Sequence, residues 1–141
     1  GIYVGYRHFD KADLEVSYPF GYGLSYTAFA YGDLEVKLAN DTVRVALTVQ
    51  NTGDRAGKEV VQFYTSKPNS TIDRPVRELK AFLKTRQLAP GESAGIRMHI
   101  PVSELRYWEE AKAGWALERG AYLIEAGSSS RDIRLSGEVG I

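Results

Sequence analysis

The stretch DTVRVALTVQNTG, residues 41–53, sets Val43, Val45, Leu47 and Val49 on one side of an extended chain and Arg44, Ala46, Thr48 and Gln50 on the other. Successive side chains of a strand point to opposite faces, so this period of two describes a half-buried strand, which Asn51, Thr52 and Gly53 end. The signature recurs at short intervals. FAYGDLEVKL alternates Leu34, Val36 and Leu38, and Asn40-Asp41 turns it back toward the next strand as a hairpin or an adjacent pair. KEVVQFYTS is rich in β-branched and aromatic residues, and VRELKAFLKTRQL alternates Leu79, Ala81 and Leu83 before APGES turns the chain. AGIRMHIP sets Ile96, Met98 and Ile100 against Arg97 and His99. GWALERGAYLIEAG and RDIRLSGEV supply the last two strands, with Tyr122, Ile124 and Ala126 alternating in the first and Ile133 and Leu135 in the second. One interruption stands out: VSELRYWEE after Pro101 predicts one or two helical turns, with Ser103 as cap and Leu105 and Trp108 three apart.

About seven short strands with Gly, Pro and Asn at the turns predict an all-β fold, an immunoglobulin-like (fibronectin type III-like) β-sandwich. An α/β sheet would need crossover helices, and no stretch provides them. In LERGAY, a tyrosine just after a turn near the start of a late strand matches a tyrosine corner, with Tyr122 as the residue whose hydroxyl reaches back to the backbone.

The first 31 positions behave differently. They hold nine of the sixteen aromatic residues, and YPFGYGLSYTAF interleaves the breakers Pro19, Gly21 and Gly23 with Tyr18, Phe20, Tyr22, Tyr26 and Phe29. A linker should be polar and a core element periodic; this stretch is neither. Its rings either face something larger than the domain or wrap back on it. Ordering a Gly- and Pro-rich tether costs entropy, but burying five aromatic side chains at roughly 1.5–3 kcal/mol each more than offsets it.

A chain of 141 residues is long enough for one domain with a two-layer core, and 18 Lys and Arg against 18 Asp and Glu leave no net field for phosphate backbones or an anionic membrane. Neither nucleic acid nor membrane is an expected partner. With no cysteine there is no disulfide framework or thiolate metal site, and the compartment stays open among periplasm, exterior and cytoplasm. Gly1 opens inside structure-forming sequence without a signal-peptide pattern, as expected of an excised piece.

Catalytic patterns fail one by one. GLSYT starts like a nucleophile elbow, but Thr27 stands where the closing glycine belongs. His8, Asp10, Asp13 and Glu15 cluster in HFDKADLE without the spacing or glycine of a calcium loop, and His99 falls on the polar face of its strand. Glu109 and Glu110 are neighbours in a turn, not a carboxylate pair facing each other across a sugar. No metal and no cofactor is implied. Asn40 and Asn69 begin NDT and NST, glycosylation patterns at turns that favour Asn anyway. Tyr107, Trp108 and Trp115 form either a flat sugar-stacking platform or, as two tryptophans flanking a turn more often do, the closure of one end of the core. The polar connection SKPNSTIDRPVRELKAF, stiffened by Pro68 and Pro75, is the kind of loop through which a scaffold reaches a neighbour. Arg74 and Arg77 are its candidate contacts to a catalytic domain or a partner subunit.

Taken together and in order, GIYVGYRHFD, VSYPFGYGLSYTAF, VQNTGDRAGKEVVQFY, RPVRELKAFLKTRQLAPGES and GAYLIEAGSSSRDIRLSG resemble the C-terminal end of glycoside hydrolase family 3 enzymes, the β-glucosidases and their relatives. The resemblance covers nearly the whole chain. It implies that residues 1–10 are the last strand of a preceding α/β sandwich domain, residues 11–28 an interdomain strap and residues 29–141 a fibronectin type III-like domain. It also implies a parent that hydrolyses terminal β-D-glycosyl residues with retention, using an aspartate on a (β/α)8 barrel and a glutamate on the second domain. Neither catalytic motif occurs here, so the resemblance assigns no catalytic residue and implies an inactive fragment. Its partners would be the barrel and α/β domains of its own parent, with a contact between two copies as a further option. The competing reading is an independent carbohydrate-binding or cell-surface adhesion module.

Overall fold

The computed structural model describes residues 27–141, and the expectations for Tyr18, Phe20, Tyr22, Tyr26 and the segments at 1–10 and 11–26 lie outside the described residues. The described chain is a two-sheet sandwich. One sheet has the order β1-β2-β5 and is built from β1 (Phe29–Ala39), β2 (Thr42–Asn51) and β5 (Ser93–Pro101). The hairpin between β1 and β2 turns on Asn40 and Asp41 with φ of 52° and 61°. Two consecutive left-handed residues give a connection whose twist matches that of the flanking strands, and Asn and Asp tolerate it. Val43, Val45, Leu47 and Val49 are all buried and meet Ile96, Met98 and Ile100 of the neighbouring strand in the same core. Leu38 departs from the expected alternation, being 44% exposed. It sits at the turn end of an edge strand and so has a neighbouring strand on one side only. A register shift between Gly32 and Glu35, with Asp33 at φ 56°, bends the same strand.

The second sheet has the order β4-β3-β8-β9, from β3 (Val60–Ser66), β4 (Glu78–Lys84), β8 (Ala121–Ser129) and β9 (Asp132–Gly140). Val61 and Phe63 of β3, Ala81 of β4, Ile124 and Ala126 of β8 and Val139 of β9 turn into the shared core. Two bulges overrule simple alternation. Phe63 pairs with Ala81 but Tyr64 with Leu79, leaving Lys80 as the extra residue, so Leu79 joins Tyr64 and Phe82 in a separate cluster rather than the face of Ala81 and Leu83. Likewise Ala126 pairs with Leu135 and Gly127 with Ile133, so Ile133 leaves the side that Leu135 keeps. An unpaired residue resets the parity of a strand. Gly127 is required at the second bulge, because a Cβ there would lie 2.1 Å from the carbonyl oxygen of Asp132.

Asn51 ends β2 by more than breaking it. Its buried side chain donates to the carbonyls of Arg55 (2.8 Å) and Leu88 (2.9 Å) and accepts from the Gly53 N–H (2.8 Å), which ties the loop after β2 and the loop before β5 to one amide.

Between β5 and β8 the chain makes a 3-10 turn, Val102–Leu105, then a small hairpin of β6 (Tyr107–Glu109) and β7 (Gly114–Ala116) joined by a second 3-10 turn, Glu110–Lys112. The capping role expected of Ser103 is not there: Pro101 holds that position with no side-chain bond, and Ser103 instead accepts through its carbonyl from Arg106. Leu105 is buried while Trp108 belongs to the hairpin, so the two share no helical face. The tyrosine corner forms as expected, with the buried Tyr122 donating its hydroxyl to the Glu118 carbonyl at 2.7 Å. Tyr122→Phe keeps the ring and strands that carbonyl; urea unfolding should show a loss of about 1–2 kcal/mol.

Candidate functional site

Three places gather polar and aromatic side chains, and the most organised is the connection between β3 and β4. Glu118, just before β8, acts as its anchor. Its carboxylate accepts from the Ser70 hydroxyl (2.7 Å), the Thr71 N–H (2.8 Å) and Arg74 Nη1 (3.1 Å). Arg74 also donates to the Leu105 carbonyl (3.1 Å), and its guanidinium lies 5.9 Å from the Tyr107 ring centre and 5.8 Å from that of Tyr122. Only 9% of the Arg74 side chain and 12% of the Glu118 side chain reach solvent. Arg77 forks onto Glu125 with Nε and Nη2 at 2.9 and 3.0 Å from the two carboxylate oxygens. Both arginines named from the sequence are thus committed within the domain. The exposed large apolar side chain of the loop is Val76, 82% exposed, and beneath the loop lies a cleft of about 420 Å³ lined by residues including Ser66, Lys67, Ile72 and Leu123.

Burial alone would raise the Glu118 pKa, but the Thr71 N–H, the Ser70 hydroxyl and Arg74 outweigh it and hold the carboxyl below its ordinary 4.5. Asp132 is likewise lowered, chiefly by Arg134. A depressed folded-state pKa contributes stability that is complete above the unfolded value and lost as the pH falls through the folded one. Stability should therefore decline below about pH 4.5, and Glu118→Gln should flatten that acid limb in pH-dependent urea titrations.

The second place is the β6-β7 hairpin. Trp108 and Trp115 are directly paired, with ring centres 5.5 Å apart and planes at 83°, and Arg106 lies 5.9 Å from the Trp115 centre. At 47% and 60% exposure these rings do not close the core, which corrects that expectation, and they form a corner rather than one flat surface. Tyr107 donates its hydroxyl to Glu109 at 2.9 Å. His99 is exposed on β5. Among the described residues no three His, Asp or Glu side chains converge as a metal site requires.

The third place clasps the start of β1. Tyr31 donates to Glu59 (2.8 Å), Arg134 stacks 5.1 Å from the Tyr31 ring centre, donates to the Phe29 carbonyl (2.7 Å) and forks onto Asp132. Burial, and then the charge of Glu59, push the Tyr31 hydroxyl well above the ordinary tyrosine range, and burial likewise raises Glu59. Phe29, expected to face a neighbouring domain, packs partly buried against the sandwich core. Glu59, Glu118 and Arg134 were invisible to sequence reasoning, because single charged residues in polar turns carry no periodic or motif signal.

Residues 59–130 match the family described as fibronectin type III-like domain. The chain is 45% identical over 139 residues to a probable beta-glucosidase K of Emericella nidulans, covering 97% of this chain and 16% of that protein. It is 43% identical over 134 residues to a beta-glucosidase of Kluyveromyces marxianus, covering 94% and 16%. Among solved structures, beta-glucosidase 3B from Thermotoga neapolitana in complex with alpha-D-glucose superposes with a TM-score of 0.78 at 48% identity, covering 97% of this chain and 19% of that one. The chain thus spans under a fifth of the length of these relatives. With its two-sheet sandwich, its tyrosine corner and more than half its length matched, the chain belongs to the fibronectin type III-like domain family.

Proposed function

We propose that this chain is a non-catalytic structural domain of a retaining β-glucosidase-like glycoside hydrolase, holding and orienting the domains that hydrolyse terminal β-D-glycosyl residues. The observation that carries this reading is the coverage: nearly all of the chain aligns to a small share of each relative. Residues 29–141 form the domain, residues 1–10 end the preceding α/β domain, and residues 11–28 strap the two together through Tyr18, Phe20, Tyr22 and Tyr26, leading into Phe29 at the start of β1. The 66–78 loop is a second point of contact, with Arg74 and Arg77 fixing the shape that presents Val76 to the parent or to a second copy.

The exposed corner of Trp108 and Trp115 favours the competing module reading, because aromatic rings held at a surface are what sugar stacking needs. Titrating the chain with gluco- and xylo-oligosaccharides while following tryptophan fluorescence separates the two. The structural reading expects no saturable change and no turnover of a chromogenic glucoside. Saturable binding that Trp115→Ala abolishes would establish the module instead.

A further inference from the structure

The outer face of the three-stranded sheet carries its charge unevenly. Alternation about the core residues Val43, Val45, Leu47, Ile96, Met98 and Ile100 turns Arg44, Ala46, Thr48, Arg97 and His99 to the other side. The pairing lines these up in rows that cross the strands. Lys37, Arg44 and His99 stand directly opposite one another in one row, and Glu35, Ala46 and Arg97 in the next. Every member of the first row is exposed, and so is Arg97. The two rows thus set Lys37, Arg44 and Arg97 against Glu35, in a chain whose 18 basic and 18 acidic residues balance. Two observations separate them from an ordinary solvated surface. Arg74, Arg77, Arg86 and Arg134 each reach a carboxylate, whereas Lys37, Arg44 and Arg97 have none in ion-pair contact among the described residues. Like charges directly opposite each other weaken a sheet, yet Lys37 faces Arg44. Local rules broken at a cost to stability are expected at functional surfaces.

The rest of the face limits what can lie on it. The following row is Gly32, Thr48 and Gly95, and a Cβ at either glycine would meet nothing within 4 Å, so a ligand can approach the backbone closely. These three rows hold no Trp, Tyr, Phe or large aliphatic side chain. A folded protein partner would need such anchors, and a single-stranded nucleic acid would need rings on which to stack its bases. What suits a flat, cationic, anchor-free face is a linear polyanion whose own rings are saturated and hydroxylated. We infer that this face binds an acidic polysaccharide, a chain of uronate sugars laid across the three strands along Lys37, Arg44 and His99. Charge complementarity selects the occupant. Adjacent strands lie about 4.7–4.9 Å apart, close to the pitch at which a uronate chain repeats its carboxylates, one to each ring. Arg44 can fork onto one carboxylate while Lys37 meets the next as a point charge, and Arg97 flanks them from the second row. The row of Gly32, Thr48 and Gly95 leaves room for the sugar rings.

The site goes beyond the structural-domain reading and does not depend on it. In the isotope-labelled 141-residue chain, titration with an oligogalacturonate at low ionic strength should give saturable amide shifts confined to β2, β5 and residues 35–39 of β1. A neutral gluco-oligosaccharide should leave the same amides unmoved. Added salt should weaken the binding progressively, because every contact is an exposed charge. Arg44→Thr with Arg97→Thr should lower the affinity about tenfold or more, without lowering the urea midpoint, since it relieves a like-charge contact and keeps a good strand former. The absence of a saturable shift, shifts centred on Trp108 and Trp115, or unchanged affinity in the double variant would overturn the proposal. So would binding as tight to the neutral sugar, to polyglutamate or to an oligodeoxynucleotide, because the face would then not select uronates. Failure here leaves the structural-domain reading to its own test with neutral sugars.

Discussion

Replacing Arg74 by alanine is expected to lower the unfolding free energy by about 3–5 kcal/mol, read by urea denaturation at neutral pH. The size follows from burial. An exposed ion pair is worth under about 1 kcal/mol, because water serves either ion nearly as well as its partner. Arg74 and Glu118 are almost out of solvent, so removing the guanidinium takes the hydrogen-bonded cation from a buried carboxylate, strands the Leu105 carbonyl and uncovers the faces of Tyr107 and Tyr122. Arg74→Met with Glu118→Gln, which removes both charges and keeps most of the volume, should recover a large part of the loss. If Arg74→Ala proved as mild as a surface substitution, the loop would not be the tightly held element described above.

Gly127→Ala should cost about 3 kcal/mol, the upper end of the usual range for overpacking. The added methyl meets backbone, with the Asp132 carbonyl oxygen at 2.1 Å and the Ile133 Cα at 2.8 Å, and backbone in a paired ladder cannot turn aside as a side chain would. The bulge would have to open. Because it is this bulge that sends Ile133 and Leu135 to opposite sides, thermal unfolding should fall together with the amide protection of β9, whereas Gly140→Ala, which has open space, should be nearly silent.

These two sites also mark where the sequence stopped being readable. Val43 through Val49 were legible because every second residue is apolar and the ladder to β5 runs without interruption, and Tyr122 because a tyrosine corner has a local spacing. Leu79 and Ile133 were misplaced for one shared reason: alternation holds only while each residue has a partner, and Lys80 and Arg134 are extra. Nothing in the residue types at those positions announces a bulge. Leu38 was misread because periodicity reports a face but not how far the neighbouring layer extends. The loop failed differently. Arg74 and Arg77 were recognised as important and taken to point outward, since their acceptors, Glu118 and Glu125, lie 44 and 48 positions away, beyond any local pattern. For the tryptophans the sequence left platform and core closure open, because two rings flanking a turn suit either, and the hairpin that carries them leaves them at the surface.

That separation along the chain bears on when the loop acquires its shape. Glu118 and Glu125 are synthesised well after the segment they hold, so a nascent chain that has already paired β1 with β2 still carries residues 66–78 without anchors. Contacts between residues far apart in sequence are late and slow to form, since closure entropy precedes any gain. The tyrosine corner and the two arginine anchors sit on the same stretch, residues 118–125, and so they close together. The loop that shapes the surface beside β4 is therefore a late product of folding, closed only once β8 has docked on β3.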